Sequence, residues 1–323
     1  MHVSDSHSHR DDAANAAMAA TTQLTIGVLA LQGAFIEHIK LLELAATDFL
    51  QQHQQNQQPI TFSFIEVRNP AALATCDALI IPGGESTSIS LIAERTALLE
   101  PLRDFVKLAR KPVWGTCAGL ILLAEEANRS KATGQQLIGG LDVRVQRNFF
   151  GRQVESFEAE LALPAILGAE GADDERFHTV FIRAPVVEKV LDSSSSSSSS
   201  SAGPEKNGPV SSGVPADPLV EEADGDTSTT TSTQPPANAV VSAPAKQATK
   251  AKVEVLGRLP GRAKAIQDQT TSAQDLGEEG DIVAVRQGNV FGTAFHPELT
   301  GDARIHGWWL GEVVRSALAA RGA

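Results

Sequence analysis

Apolar and polar positions follow two rhythms along this chain, and the rhythm changes near its middle. Leu24–Leu31 is a continuous apolar run of strand length, the pattern of a strand buried on both faces. Gln32-Gly33 interrupts it, and Ala34–Leu50 then carries Phe35, Ile39, Leu42 and Ala46 at helical spacing. Beyond the Gln-rich loop Gln51–Gln58, Ile60–Val67 reads as a second strand, and Asp77–Ile81 as a third that ends on Pro82-Gly83-Gly84. Ser86–Arg95 and Leu98–Arg110 are predicted helices, with Pro101 breaking the start of the second. Pro112–Gly115 reads as a fourth strand and Ala118–Ala127 as the helix after it. The second half is richer in strands: Leu141–Gln146, Phe157–Leu163, Phe177–Arg183, Lys252–Leu259, Ile282–Arg286 and Val290–Phe295. A closing helix, Asp302–Ala320, carries Ile305, Trp308, Trp309, Val313 and Leu318.

Strands alternating with helices predict an α/β fold, a doubly wound, mostly parallel sheet flanked by helices. Ligands of such sheets sit beyond the carboxyl ends of the strands. Two Gly-rich exits, Pro82-Gly83-Gly84 and Gly115-Thr116-Cys117-Ala118-Gly119, fall at those ends.

Both rhythms lapse between about Asp192 and Thr249. Ser193–Ser201 is an unbroken serine run, followed by Ser, Thr, Pro, Ala, Gly and acidic residues. So little apolar surface cannot offset the entropy of ordering the chain. The expected organisation is a polar, disordered N-terminal tail over 1–23 and one domain over 24–320, interrupted by a low-complexity insertion over 192–250. Loop closure cost grows only logarithmically with length, so a fold tolerates such an insertion.

Composition narrows the function classes. A formal net charge of −12 at pH 7 repels nucleic-acid phosphates and anionic membranes, and no basic cluster overrides it. Two cysteines, Cys76 and Cys117, cannot form a disulfide framework, which fits a reducing, cytoplasmic setting. No apolar run is long enough to span a bilayer, and residues 1–23 lack the apolar stretch of a secretory signal. His2, His7 and His9 in that tail could chelate a metal, but no partner ligand is evident.

The chemistry concentrates at Gly115-Thr116-Cys117-Ala118-Gly119, the cysteine form of a G-x-S-x-G nucleophile elbow. Its glycines permit a turn that pushes one side chain out at a strand's end. A thiol there meets a helix N-terminus, which favours the nucleophilic thiolate. A buried structural cysteine in a Gly-rich turn is the plainer alternative. A base is offered by Phe295-His296-Pro297-Glu298, where Glu298 stands two residues from His296 and can approach its ring. Cys117 would attack, His296 would shuttle the proton, and Glu298 would orient the imidazole. Oxyanion donors would come from the backbone N–H of Ala118 and, in the Gly83-Gly84-Glu85-Ser86 loop, of Gly84. That loop is equally readable as a plain strand-to-helix turn with Ser86 as N-cap; the two readings are compatible. Cys76 reads as a small core residue, and His38 is expected at the surface or facing a partner.

Taken in order, Leu29-Ala-Leu-Gln-Gly-Ala34 with Glu37-His38, Pro82-Gly-Gly-Glu-Ser-Thr87, Gly115-Thr-Cys-Ala-Gly119, Gln146-Arg-Asn148 with Gly151-Arg-Gln153, Phe181-Ile-Arg-Ala-Pro185 and Phe295-His-Pro-Glu-Leu299 resemble one known family. It is the Pdx2/SNO family of class I glutamine amidotransferases, the glutaminase subunits of pyridoxal 5′-phosphate synthase. The resemblance covers about Leu24 to Val190 and Val253 to Ala320. It implies hydrolysis of L-glutamine to glutamate and ammonia, with ammonia passed to a PdxS/Pdx1-type synthase partner. It implies the triad Cys117, His296 and Glu298, and glutamine contacts from Gly84, Glu85, Ser86, Arg147, Ile182 and Arg183. A guanidinium such as Arg147 suits the α-carboxylate of glutamine; Glu85 or backbone carbonyls could serve its ammonium, and Arg183 could act mainly through its backbone. Outside the motif, each arginine would read as a surface ion pair. Thiolate and imidazole suffice for this reaction, so no metal and no organic cofactor is expected. The long insertion and the N-terminal tail depart from the family's compact pattern. Two other readings stay open: a glutaminase serving another ammonia-using synthase, against which Leu120 and Glu85-Ser86-Thr87 speak, and a non-catalytic regulatory subunit.

Overall fold

The strands that flank the two Gly-rich exits form the middle of one large sheet. The computed structural model of the chain describes residues 21–53, 59–128, 135–147, 156–168, 176–191, 240–245, 251–260 and 280–322. The chain opens with β1 (Thr22–Leu29), α1 (Phe35–His53), β2 (Ile60–Val67), α2 (Pro70–Ala74) and β3 (Ala78–Ile81). It continues with α3 (Ser86–Arg95), α4 (Leu99–Lys107), β4 (Val113–Thr116), α5 (Ala118–Leu123), β5 (Ala124–Asn128) and β6 (Leu141–Gln146). Then come β7 (Ser156–Ala162), α6 (Pro164–Leu167), β8 (Arg176–Ile182), β9 (Val186–Val190), β10 (Val240–Ser242) and β11 (Glu254–Leu259). The last elements are β12 (Asp281–Gln287), β13 (Val290–Thr293), a short 3₁₀ turn (Pro297–Leu299) and α7 (Arg304–Gly322).

The strand order is β10-β5-β6-β9-β12-β13-β4-β3-β1-β2, with β11 joining on β12. From β2 to β13 every pairing is parallel, the doubly wound α/β pattern expected of the first half. The other half is mixed: β12 is antiparallel to β13, β9 and β11, and β9 to β6. β7 and β8 form a separate antiparallel hairpin.

Adjacent strand residues point to opposite faces, so β4 shows how the helices divide. Trp114 is fully buried and meets His38 of α1 and His306 and Trp309 of α7. A side chain added at the next residue, Gly115, would instead strike Gly119 and Leu123 of α5. Thus α1 and α7 cover one face and α5 the other.

Three expectations change. The helix predicted over Ala118–Ala127 stops at Leu123, and Ala124–Asn128 is a strand paired with β6 and β10; a short buried apolar run suits helix and strand alike. Pro101 does not break α4, because it stands in the first turn, where its missing N–H has no acceptor to lose. Strand β1 starts at Thr22, two residues inside the predicted tail.

The tail residues 1–20 and the insertion over 192–239 lie outside the described residues, as do His2, His7, His9 and the serine run. The last part of the predicted insertion is ordered sheet: Val240–Ser242 pairs with Glu126–Asn128.

Candidate active site

β4 is central, and its two neighbours deliver the remaining parts. β13 runs parallel to it with Thr293 opposite Thr116, and the ladder continues as Cys117 N–H donates to Thr293 O at 2.8 Å. Cys117 therefore leaves the sheet beside the segment leading to His296. On the other side, Ile81 of β3 is opposite Gly115, so Gly83 and Gly84 emerge at the same edge. His296 N–H donates to Val180 O of β8 at 2.8 Å, which fixes the histidine's backbone to the hairpin.

Cys117 adopts φ 47° and ψ −97°, a conformation rare for a non-glycine residue. Four described non-glycine residues have positive φ; Ala97 and Arg110 follow helices, whereas Cys117 and Arg183 stand at strand exits beside the site. Strain held by the surrounding structure clusters at functional positions. The elbow also needs Gly119, because a Cβ there would lie 2.0 Å from the carbonyl oxygen of Ile81.

His296 and Glu298 are buried. The ring's Nδ1 lies 2.8 Å from Glu298 Oε1, leaving Nε2 for the cysteine. Burial opposes charge on the imidazole, but hydrogen bonds and attraction from Cys117 and Glu298 outweigh it and push the His296 pKa up to about 10. The geometry thus favours an imidazolium beside the sulfur. The Cys117 thiol lies 3.9 Å from Ile182 O, so Ile182 meets it through its backbone while Arg183 is exposed. Gly83 backs onto the imidazole: a Cβ there would fall 2.3 Å from Cε1.

The Gly83–Thr87 loop is held from several sides. Glu85, not Ser86, caps α3, accepting hydrogen bonds from the backbone N–H of Thr87 and Ser88. Those bonds offset burial and lower its pKa. Glu85 N–H donates to Gln32 Oε1 at 2.7 Å. Ser86 and Thr87 donate to Gln135 Oε1 at 3.3 Å each, and Arg147 Nη1 donates to the same oxygen. Arg147 is buried rather than paired at the surface; burial lowers its pKa to about 10, and the Glu85 carboxylate partly counters this. Asn148 and Gly151-Arg-Gln153 lie outside the described residues.

The site also holds groups that motif reading missed or misplaced. His38 is fully buried, not surface or partner-facing, and its Nε2 lies 3.4 Å from Glu298 Oε2. The signal was available: His38 stands four residues before Leu42 on the stripe that continues through Ala45 and Phe49, all buried. Gln32, Gln135 and His306 carried no comparable signal, since each is placed by contacts between distant segments. Cys76 is a core residue, as expected; burial pushes its thiol up to about 11. Among the described residues no group of three or more His, Cys, Asp or Glu side chains is arranged to hold a metal.

Known proteins resemble this chain in sequence and in fold. Residues 28–208 and 248–315 match the family described as SNO glutamine amidotransferase. A "probable pyridoxal 5′-phosphate synthase subunit PDX2" of Arabidopsis thaliana is 38% identical over 292 residues, covering 89% of this chain and 85% of the relative. The "pyridoxal 5′-phosphate synthase subunit SNO1" of Saccharomyces cerevisiae is 46% identical over 175 residues, 54% of this chain and 73% of the relative. A crystal structure titled as a glutamine amidotransferase superposes with a TM-score of 0.53 at 30% identity, covering 89% of this chain and 98% of that one. The chain belongs to the SNO glutamine amidotransferase family.

Proposed function

We propose that this chain hydrolyses L-glutamine to glutamate and ammonia with Cys117, His296 and Glu298, as the glutaminase subunit of a pyridoxal 5′-phosphate synthase. The observation that carries the reading is the buried His296 ring, hydrogen-bonded to Glu298 at 2.8 Å and electrostatically coupled to Cys117, at the carboxyl end of the parallel strands. The Cys117 thiolate attacks the side-chain amide carbon of glutamine. Gly84 and Ala118 N–H groups receive the oxyanion. The C–N bond breaks as His296 gives its proton to the leaving nitrogen, releasing ammonia and leaving a thioester. His296 then takes a proton from water, whose oxygen attacks the thioester; glutamate leaves and the thiol is restored.

Arg147 pairs with the substrate α-carboxylate, a charge-assisted contact strengthened by its burial. Ser86 shares Gln135 with it and borders the same space. The Ile182 carbonyl and the Arg183 backbone close the pocket opposite the glycine loop. The Glu85 carboxylate is committed to the α3 cap, so it acts on the α-ammonium by charge rather than by reorienting.

In this reading the partner is a PdxS/Pdx1-type subunit that consumes the ammonia, and the complex is cytoplasmic; no described helix is long and apolar enough to cross a membrane. Residues 22–320 make one glutaminase domain, its start moved into the predicted tail by β1 and its insertion shortened at the end by β10. The test is an ammonia-release assay on glutamine with and without a candidate synthase. The synthase should raise the rate, and Cys117→Ala should abolish it. Activation only by a synthase of a different pathway would redirect the assignment, and turnover surviving in Cys117→Ala would remove the cysteine from the mechanism.

A further inference from the structure

Glu298 presents one oxygen to His296 and its other oxygen to a pair of histidines that the reaction above does not use. His38 on α1 and His306 before the middle of α7 are both fully buried. His38 Nε2 stands 3.4 Å from Glu298 Oε2 and 3.3 Å from Thr116 Oγ1. His38 Nδ1 stands 3.0 Å from His306 Nε2. Trp114 flanks both rings edge-on, with centroids at 5.6 Å from His38 and 4.8 Å from His306. Among the described residues, neither Oε2 nor His306 Nδ1 has a hydrogen-bond partner as the side chains stand, and His38 Nε2 is the ring nitrogen beside Oε2.

A neutral imidazole carries one N–H, and the neighbours decide where it sits. Protonated on Nδ1, His38 would donate to His306 and turn its Nε2 lone pair toward a carboxylate oxygen. The Thr116 hydroxyl could then donate to Nε2, but Oε2 of Glu298 would be left buried with no donor. Protonated on Nε2, His38 donates to Oε2, and its Nδ1 accepts from Nε2–H of His306. The hydrogen bonds then run in one direction, from His306 through His38 to Glu298, and Glu298 accepts at both oxygens.

The wider surroundings keep both rings neutral. Burial, then His306 and His296, hold His38 well below the ordinary histidine range. Burial pushes His306 down to about 3 against the opposing pull of Asp302. β1 under α1 has no titratable side chain, and Glu66 on β2 is paired with Arg68 at the surface.

We propose that His38 is a positioning residue for the glutaminase reaction: a neutral Nε2–H donor that holds the second oxygen of Glu298, with His306 fixing its tautomer. A carboxylate held at one oxygen can swing about that contact; held at both, it keeps the His296 ring aimed at the sulfur. The outer partner of a catalytic histidine's carboxylate acts here as such partners do around metal-bound histidines. This inference rests on the triad reading above.

Two measurements on the full chain test it. Nitrogen NMR of ¹⁵N-histidine-labelled protein reads the tautomer without any turnover. His38 should be neutral and protonated on Nε2 between about pH 6 and 8; an Nδ1–H or charged ring overturns the proposal. The second measurement compares His38→Leu with His38→Gln in the synthase-stimulated ammonia assay, each checked for an unchanged melting transition. The leucine variant should lose about tenfold in kcat and keep its KM. The glutamine variant, whose amide N–H can reach Oε2, should recover most of the rate. A folded leucine variant with wild-type kcat overturns the proposal, as does a folded glutamine variant no better than leucine. An Nδ1–H tautomer beside normal turnover overturns this proposal alone. Wild-type protein that releases no ammonia with the synthase overturns the reading beneath it as well.

Discussion

The parallel half of the sheet and the mixed half treat precision differently. From β2 to β13 no register shift interrupts the ladders, and β3, β4 and β13 are buried along their whole length. In the mixed half, shifts occur between β5 and β6, β6 and β9, and β11 and β12. Ion pairs such as Arg144 with Glu126 and Lys107 with Glu125 hold this half together. The parallel half places Cys117, His296 and the Gly83-Gly84 loop at three neighbouring strand exits. The mixed half supplies Arg147 from the end of β6 and carries the insertion. Unbroken register goes with chemistry that needs sub-ångström placement; bulges go with places where chain has been added.

The largest effect should come from Cys117, the proposed nucleophile of the parallel half. Cys117→Ser should fold with an unchanged melting temperature and lose about 10³-fold or more in ammonia release, which a stopped assay reads directly. Next is Gly83→Ala, whose Cβ would press on the His296 ring. The variant should lose about 10²-fold in kcat through a displaced base, with little change in melting temperature. A Gly83→Ala enzyme of normal rate would show that the strand exits tolerate more than this comparison allows.

Acid stability separates the two faces of the parallel half. The folded-state pKa of His306 is depressed to about 3 from an ordinary 6.5. Its neutral burial therefore stabilises the fold fully above pH 6.5, and that contribution is lost as the pH falls toward 3, at about 1.4 kcal/mol per pH unit. His306→Phe should flatten the dependence of denaturant-unfolding free energy on pH across that window. The His296 contribution has the opposite sign: its pKa is raised to about 10, so its stabilisation is complete below 6.5 and lost as the pH rises through 10.

The smallest effect should lie in the mixed half. Replacing 193–239 with a Gly/Ser linker of about ten residues, enough to cross from β9 to β10, should leave melting temperature and activity unchanged, whereas deleting 193–249 also removes β10 and the Lys107 Nζ contact to Pro244 O. The longer deletion should cost about 1 kcal/mol in thermal or denaturant unfolding and leave kcat intact. Equal stability of the two would show that β10 adds nothing to the edge.

Legibility followed the same division. Leu24–Leu31 and Asp77–Ile81 announced buried strands because strands covered on both faces are apolar throughout; Ile60–Val67 showed itself by alternation and lies, mostly half-buried, at the sheet edge. The elbow and the His296–Glu298 pair were readable because close sequence spacing sets their geometry. Ala124–Asn128 was misread because its periodicity suits helix or strand, and only pairing with β6 and β10 decides. Glu85 displaced Ser86 as the α3 cap because a longer carboxylate reaches two N–H groups at once. His38 was misplaced because a histidine on an amphipathic helix is usually solvated, and its partners Thr116, Glu298 and His306 come from segments remote in sequence.

The position of the insertion has one further consequence. It leaves the sheet after β9 and returns at β10, three places away in the strand order, so Cys117 lies on one side of it and His296 and Glu298 on the other. A protease cutting within 192–239 would yield two polypeptides, each lacking part of the proposed Cys117, His296 and Glu298 set. Yet β12 and β13 of the later piece lie between β9 and β4 of the earlier one, interleaved like the fingers of two hands, and only that interlocked pair brings sulfur and imidazole together.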